Sequence, residues 1–154
     1  MKTQLRDQVI NQLEIDLAGL KKAAAETRSV SSGDENKQEG KYDTRSIEAS
    51  YLAEAQADQA KQIEEAIFKL NNLLLSEEPD TAILGSIVIL SDEEDVDHQF
   101  FILPAGGGII LEYEGIPLTV ITPESPIGDT ILNKSIADHI PESPIGSVFI
   151  SEIY

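Results

Sequence analysis

The chain has 154 residues, enough for one domain or two small ones, and no cysteine, which excludes structural disulfides and thiolate chemistry. Its formal net charge of −17 argues against nucleic acid or an anionic membrane as the main partner, because both need a basic surface. No apolar run approaches the roughly 20 residues of a membrane span, and Met1 to Asp7 lack the apolar core of a signal peptide, so a soluble, cytoplasmic protein is expected.

Residues 3 to about 29 read as a helix. Ile10, Leu13, Leu17, Leu20, Ala24 and Thr27 recur at steps of three and four, the spacing of one buried seam. Leu5 and Val9 widen that stripe near the base. A second helix, from about Thr44 to Leu75, places Ala49, Ala53, Gln56, Ala60, Ile63, Ile67, Leu70 and Leu74 at the same steps. The matching seams predict an antiparallel coiled-coil hairpin over residues 1–76, with its large side chains at the base and its small ones towards the tip. Periodicity of this kind equally suits a dimerisation or spacer element, since heptads carry no chemistry.

Between the helices lies Ser31 to Asp43, reading Ser-Ser-Gly-Asp-Glu-Asn-Lys-Gln-Glu-Gly-Lys-Tyr-Asp. Gly33 and Gly40 suit a reversal, and Ser, Asp and Asn offer local hydrogen-bonding turns. The carboxylates of Asp34, Glu35, Glu39 and Asp43 would stand at the end of the hairpin. Such a group can solubilise a turn. It can also complete the shell of a Mg²⁺ held by another macromolecule, because magnesium keeps several waters and takes only one or two protein carboxylates.

Charge and hydrophobic period both change near Ser76 to Asp80. Residues 1–74 hold ten Lys plus Arg against thirteen Asp plus Glu, a balance of −3; residues 75–154 hold only Lys134 against fifteen acids, −14. Beyond this point Ile83–Leu90, Phe100–Leu103, Ile109–Tyr113, Leu118–Thr122 and Ser147–Ile153 read as five strands. Gly106-Gly107-Gly108 reads as a hairpin connection; no Lys-Ser/Thr comes after it, so it is not a phosphate loop. Asp129–Ile140, with Ile131, Leu132 and Ile136, holds one short helix. The expected fold is α+β: a helical hairpin, then a small β-rich domain over residues 77–154. Pro123-Glu124-Ser125-Pro126-Ile127-Gly128 recurs as Pro141-Glu142-Ser143-Pro144-Ile145-Gly146 and reads as two similar turns. His98 and His139 have no ligand-spaced partners, and Asp92-Glu93-Glu94-Asp95 lacks the glycine and final Glu of a calcium loop. No nucleophile elbow is present, and no spacing supports a Ser/His/Asp grouping.

Taken together, Gly33-Asp34 with Tyr42 and Arg45, Ile83-Leu84-Gly85-Ser86, and Ser125-Pro126-Ile127-Gly128 with Leu132 and Lys134 resemble the motifs of the Gre family of bacterial transcript-cleavage factors, in order and spacing. The resemblance implies an N-terminal coiled coil with an acidic tip and an FKBP-like C-terminal domain. It implies a monomeric accessory factor that docks on RNA polymerase through a surface including Ser125, Pro126, Ile127 and Gly128. The hairpin would enter the polymerase secondary channel, where Asp34, Glu35 and Glu39 would assist cleavage of backtracked RNA, Asp34 and Glu35 sharing the polymerase's Mg²⁺. The protein would have no cofactor of its own. One departure stands out: the family's tip has Asp followed three residues later by Glu and Asn, whereas Asp34 is followed by Lys37 and Gln38. Lys37 among the acids would weaken their hold on a divalent cation. The alternatives are a channel-occupying inhibitor that does not cleave and a coiled-coil adaptor binding another basic protein. A proline isomerase suits a chain without Trp and with 5% aromatic residues poorly.

Overall fold

The computed structural model describes residues 1–33 and 44–154, with the side chains of residues 1–27 and 47–154. The fold is α+β. Helices α1 (Lys2–Gly33) and α2 (Thr44–Asn71) precede β1 (Ile87–Asp92), β2 (Asp97–Ile102), β3 (Ile110–Tyr113), β4 (Ile116–Ile121), α3 (Pro126–Ile131), β5 (His139–Ser143) and β6 (Gly146–Ile153). The six strands form one sheet in the order β3-β4-β2-β1-β6-β5. Two compact units result: Asn11–Ile67, and Met1–Ile10 together with Phe68–Tyr154.

In the Asn11–Ile67 unit the seam positions Leu13, Leu17, Leu20, Ala24 and Thr27 of α1, and Ala49, Ala53, Gln56, Ala60, Ile63 and Ile67 of α2, are half-buried, and most positions between them are exposed. Two helices alone shield one another along a single stripe, so half burial is the most a pair can give. The antiparallel course shows in Lys21 Nζ, 2.7 Å from Glu64 Oε1. It shows again where Leu20, Ala24 and Ala25 share a hollow of about 300 Å³ with Ala53, Gln56, Ala57 and Ala60. The ion pair is exposed and contributes about 1 kcal/mol at most. The hollow exists because alanines face one another there; Gln56 Oε1 is buried without a hydrogen-bond partner. Helix α2 ends at Asn71, where Asn72 turns its side-chain Nδ2 back to Phe68 O at 2.8 Å. The expected seam residue Leu74 therefore lies beyond the helix and is 91% exposed.

The central strands β1 and β2 are buried on both sides, which explains the unbroken apolar runs Ile87–Leu90 and Phe100–Leu103. Val88, Leu90, Phe100, Ile102, Val148 and Ile150 form one face with Ile131 of α3. By alternation, Ile87, Phe101, Leu118 and Val120 occupy the other, and Leu5, Val9 and Leu70 from the helix bases are buried in the same unit. Gly106 sits so close to α1 that a Cβ there would lie 2.6 Å from Val9 Cγ1.

Four expectations need correction. The sheet has six strands rather than five, because His139–Ser143 pairs antiparallel with β6. Ile83–Ser86 is a turn rather than strand: Ser86 N donates to Ile83 O, and Ile83 N to Ser86 Oγ at 3.1 Å. The triple glycine is not a hairpin. It leads from β2 past β4 to the outer strand β3, and β2 pairs in parallel with β4. The hairpin lies instead at Glu114-Gly115, both left-handed at φ 55 and 81, as a tight primed turn requires. Finally, α3 spans Pro126–Ile131, earlier and shorter than expected, and leaves Ile136 exposed.

Candidate functional site

Helix α3 begins where it does because Ser125 caps it. Ser125 has extended backbone, its Oγ accepts from Gly128 N at 3.1 Å and donates to Thr122 O at 2.7 Å, and Pro126 occupies the first helical turn. Pro lacks an N–H that would be unpaired there in any case. Thr130 Oγ1 donates to Pro126 O at 2.6 Å. Gly128 is buried against Thr122, and no other residue fits: a Cβ would fall 2.0 Å from Thr122 O. Ile127 and Leu132 lie half-buried against the core.

Of the expected docking residues, Pro126 is therefore the exposed one; Ser125 and Gly128 shape the turn that presents it. Two other stretches singled out in the sequence meet here. Ala82 N donates to Lys134 O at 2.8 Å and Asn133 N to Ala82 O at 2.7 Å, tying the turn at Ile83–Ser86 to the segment after α3. Asn133 takes φ 64, which closes the helix. The resulting corner exposes Ile83, Leu84, Pro126, Asp129, Lys134 and Ile136.

The second copy of the hexapeptide adopts a different structure. Pro141, Glu142 and Ser143 belong to β5, Ser143 Oγ donates to Gly146 O at 2.6 Å, and Gly146 opens β6 at φ 102. The copies are thus not two similar turns. The residues after each copy's glycine account for the divergence: Asp-Thr-Ile-Leu continues a helix, whereas β-branched and aromatic Ser-Val-Phe-Ile continues a strand.

Two side-chain pairings, Asp92 with His98 and Tyr154 with Glu152, escaped the sequence reading. In the β1–β2 turn, Asp92 Oδ1 accepts from Glu94 N and Val96 N at 2.9 and 3.0 Å, and Asp92 Oδ2 lies 3.1 Å from His98 Nε2. The backbone N–H of Val96, then His98, hold the Asp92 carboxyl below its usual range. The Asp92 carboxylate is thus taken up by the turn's own backbone and by His98. Among the described residues no group of His, Asp and Glu is arranged to hold a metal ion.

The second pairing is that of Tyr154, whose hydroxyl donates to Glu152 and whose ring meets Tyr113 edge-on at 6.3 Å. That hydrogen bond, then burial, raises the Tyr154 hydroxyl from 10.0 to about 12. A pKa raised on folding contributes stability that is present below pH 10.0 and lost as pH rises through about 12. Tyrosinate absorbance, uncluttered in a chain without Trp, is expected to show Tyr154 titrating near pH 12, with Tyr113 also raised, by burial first and then by Glu114. Glu152→Gln should bring the Tyr154 step back towards the ordinary value, and a titration profile left unchanged by this substitution would refute the assignment. No sequence spacing joins Tyr113 to Tyr154, nor are β3 and β6 neighbours in the sheet; only the folded structure brings the two rings together.

Asp34, Glu35 and Glu39, the expected tip carboxylates and Mg²⁺ ligands, lie outside the described residues. No described helix is long and apolar enough to cross a membrane.

No protein-family model matches the chain, and no curated relative matches it. Among solved structures it is similar to the GreA factor homolog 1 (Gfh1) of Thermus thermophilus, with 17% identity over 94% of each chain and a TM-score of 0.38. Gfh1 of Thermus aquaticus gives 19% identity over 94% of this chain and 92% of that one, with a TM-score of 0.39. The elongation factor GreA/GreB from Nitrosomonas europaea gives 19% identity over 70% and 91%, with a TM-score of 0.35.

Proposed function

We propose that the chain is a transcription elongation regulator of the Gre type. It docks on RNA polymerase through its C-terminal unit and inserts the helical hairpin into the secondary channel. The observation that carries this reading is the bare hairpin. Of helix α1, the stretch Asn11–Gly33 lies beyond the sheet unit, about 35 Å at 1.5 Å per residue, and its seam is only half-buried. A long, thin pair of helices with four acids between them suits reach rather than enclosure. The sheet unit contributes a strongly acidic surface with exposed Pro126 at a rigidly capped corner, which suits docking on a basic protein face.

Asp34, Glu35 and Glu39 are the groups that would act at the polymerase active centre. A carboxylate there retains a second divalent ion and orients the attacking water. The polymerase itself performs the cleavage, so the factor is not an enzyme.

The test is a backtracked elongation complex supplied with the protein in Mg²⁺, read for release of short RNA 3′ fragments and for occupancy of the channel by competition. Fragment release is expected from the wild-type chain and should be abolished, with occupancy retained, in the Asp34→Ala/Glu35→Ala double variant. Undiminished cleavage by that variant would discard the carboxylate assignment. Occupancy without cleavage by the wild type would make the protein a channel-blocking regulator, consistent with Lys37 among its acids.

A further inference from the structure

The N-terminal half of α2 carries large apolar side chains away from its seam. Ala49, Ala53 and Gln56 occupy the seam, yet Ile47, Tyr51 and Leu52 are 51, 68 and 50% exposed. Single exposed apolar residues are ordinary. Here two of them, Ile47 and Tyr51, stand one turn apart and line a hollow of about 390 Å³ together with Ser50 and Glu54. The spacing i, i+3, i+4 and i+7 places all four on one face of the helix.

The combination of walls is chemically selective. An aromatic face attracts a cation through its quadrupole. An aliphatic neighbour covers the apolar stem of a long basic side chain. A carboxylate one turn further along accepts charge-assisted hydrogen bonds from its head. Glu54 makes no hydrogen bond or ion pair with any described residue. From Ile47 to Asp58 the helix holds Glu48, Glu54 and Asp58 and no Lys or Arg, although Arg45 lies just before this stretch and Lys21 and Lys22 stand on α1, Lys21 paired with Glu64. Of the residues that line the hollow, Glu54 is the charged one, and its charge suits a positive guest. Arginine fits better than lysine, because a planar guanidinium stacks on a ring while donating in its own plane.

We propose that this hollow receives an arginine side chain from the wall of the channel into which the hairpin inserts. The guanidinium lies over the Tyr51 ring, its stem against Ile47, and its N–H groups donate to Glu54. This contact rests on the proposed insertion of the hairpin and adds a gripping point on its flank, separate from the acidic tip. Such a contact fixes how far, and in which rotation, the hairpin sits in its channel.

The experiment measures the affinity of the full-length chain for core RNA polymerase, in the wild type and in Tyr51→Ala, Tyr51→Phe, Glu54→Gln and the Tyr51→Ala/Glu54→Gln double variant. The positions are exposed, so helicity by circular dichroism should not change. Tyr51→Ala and Glu54→Gln should each weaken binding about fivefold, and Tyr51→Phe, which keeps the ring face, should bind as the wild type does. The double variant should lose less than the product of the single losses, because both groups hold one guest. Leu52→Ala, outside the hollow, should have no effect. Wild-type affinity in both Tyr51→Ala and Glu54→Gln, or fully multiplicative losses, would overturn the proposal while leaving polymerase binding intact. Failure of the wild-type chain to bind polymerase would overturn the proposed function and this contact with it.

Discussion

Alanine at position 128 is expected to destabilise the sheet unit by about 3 kcal/mol or more, a large part of the stability of a small domain. The added Cβ falls 2.0 Å from Thr122 O and 2.9 Å from Ser125 Oγ. Neither can retreat cheaply. Thr122 O already accepts from Ser125 N at 3.0 Å and from Ser125 Oγ at 2.7 Å, and Ser125 Oγ caps α3. Relief of the clash therefore costs the cap, the start of the helix and the burial of Ile131 together. Urea denaturation of Gly128→Ala should show a much lower midpoint than the wild type. The companion change Gly19→Ala should do the opposite. Nothing lies within 4 Å of a Cβ at Gly19, so alanine there should stabilise α1 by about 1 kcal/mol through helix propensity alone. Equal midpoints for Gly128→Ala and wild type would contradict the tight packing of this turn.

Phe101→Ala is expected to cost about 3–5 kcal/mol. Phe101 is fully buried at the middle of the sheet, opposite Ile87 on β1 and Val120 on β4. Strands on both sides fix the backbone, so the void left by the ring cannot close by a shift of an edge. Phe149→Ala offers the contrast: its ring is partly exposed and stacks on His139 at 4.4 Å, and its loss should cost about 1 kcal/mol. Thermal unfolding of the two variants side by side tests the difference. Comparable losses would mean that the sheet is not covered on the Phe101 face.

The hairpin seam was legible because a two-helix contact is a one-dimensional pattern. Every third or fourth residue from Leu13 to Thr27 and from Ala49 to Ile67 is the half-buried one. Leu74 misled because it continues the period after the helix has stopped, and the period cannot register an end set by Asn72. In the sheet, Ile87–Leu90 and Phe100–Leu103 announced strands, yet the pairing of β2 with β4 could not be read, since a run buried on both faces carries no record of its neighbours. His139–Ser143 was missed because Pro141 cannot donate to a ladder and argues against a strand. An edge position tolerates it. For the candidate site, Ser125 and Pro126 have the residue types of a helix cap, yet in the sequence they read as a turn ahead of a helix in Asp129–Ile140. The need for Gly at 128 was hidden, because it comes from the carbonyl of Thr122 folding back on the helix.

The sheet unit is assembled from two stretches of chain that the hairpin keeps apart: Met1–Ile10 and everything from Phe68 onward. Leu5, Val9 and Ile10 are buried, and they are synthesised well before the strands of the unit they join. The first turns of α1 must therefore leave the ribosome with an apolar side uncovered and wait until the strands beyond Phe68 have emerged. Non-local closure of this kind slows folding, and the waiting segment is exposed to aggregation in the interval. The polar neighbours Lys2, Arg6, Asp7 and Gln8 then act as solubilising company for a docking segment whose partner has yet to be made.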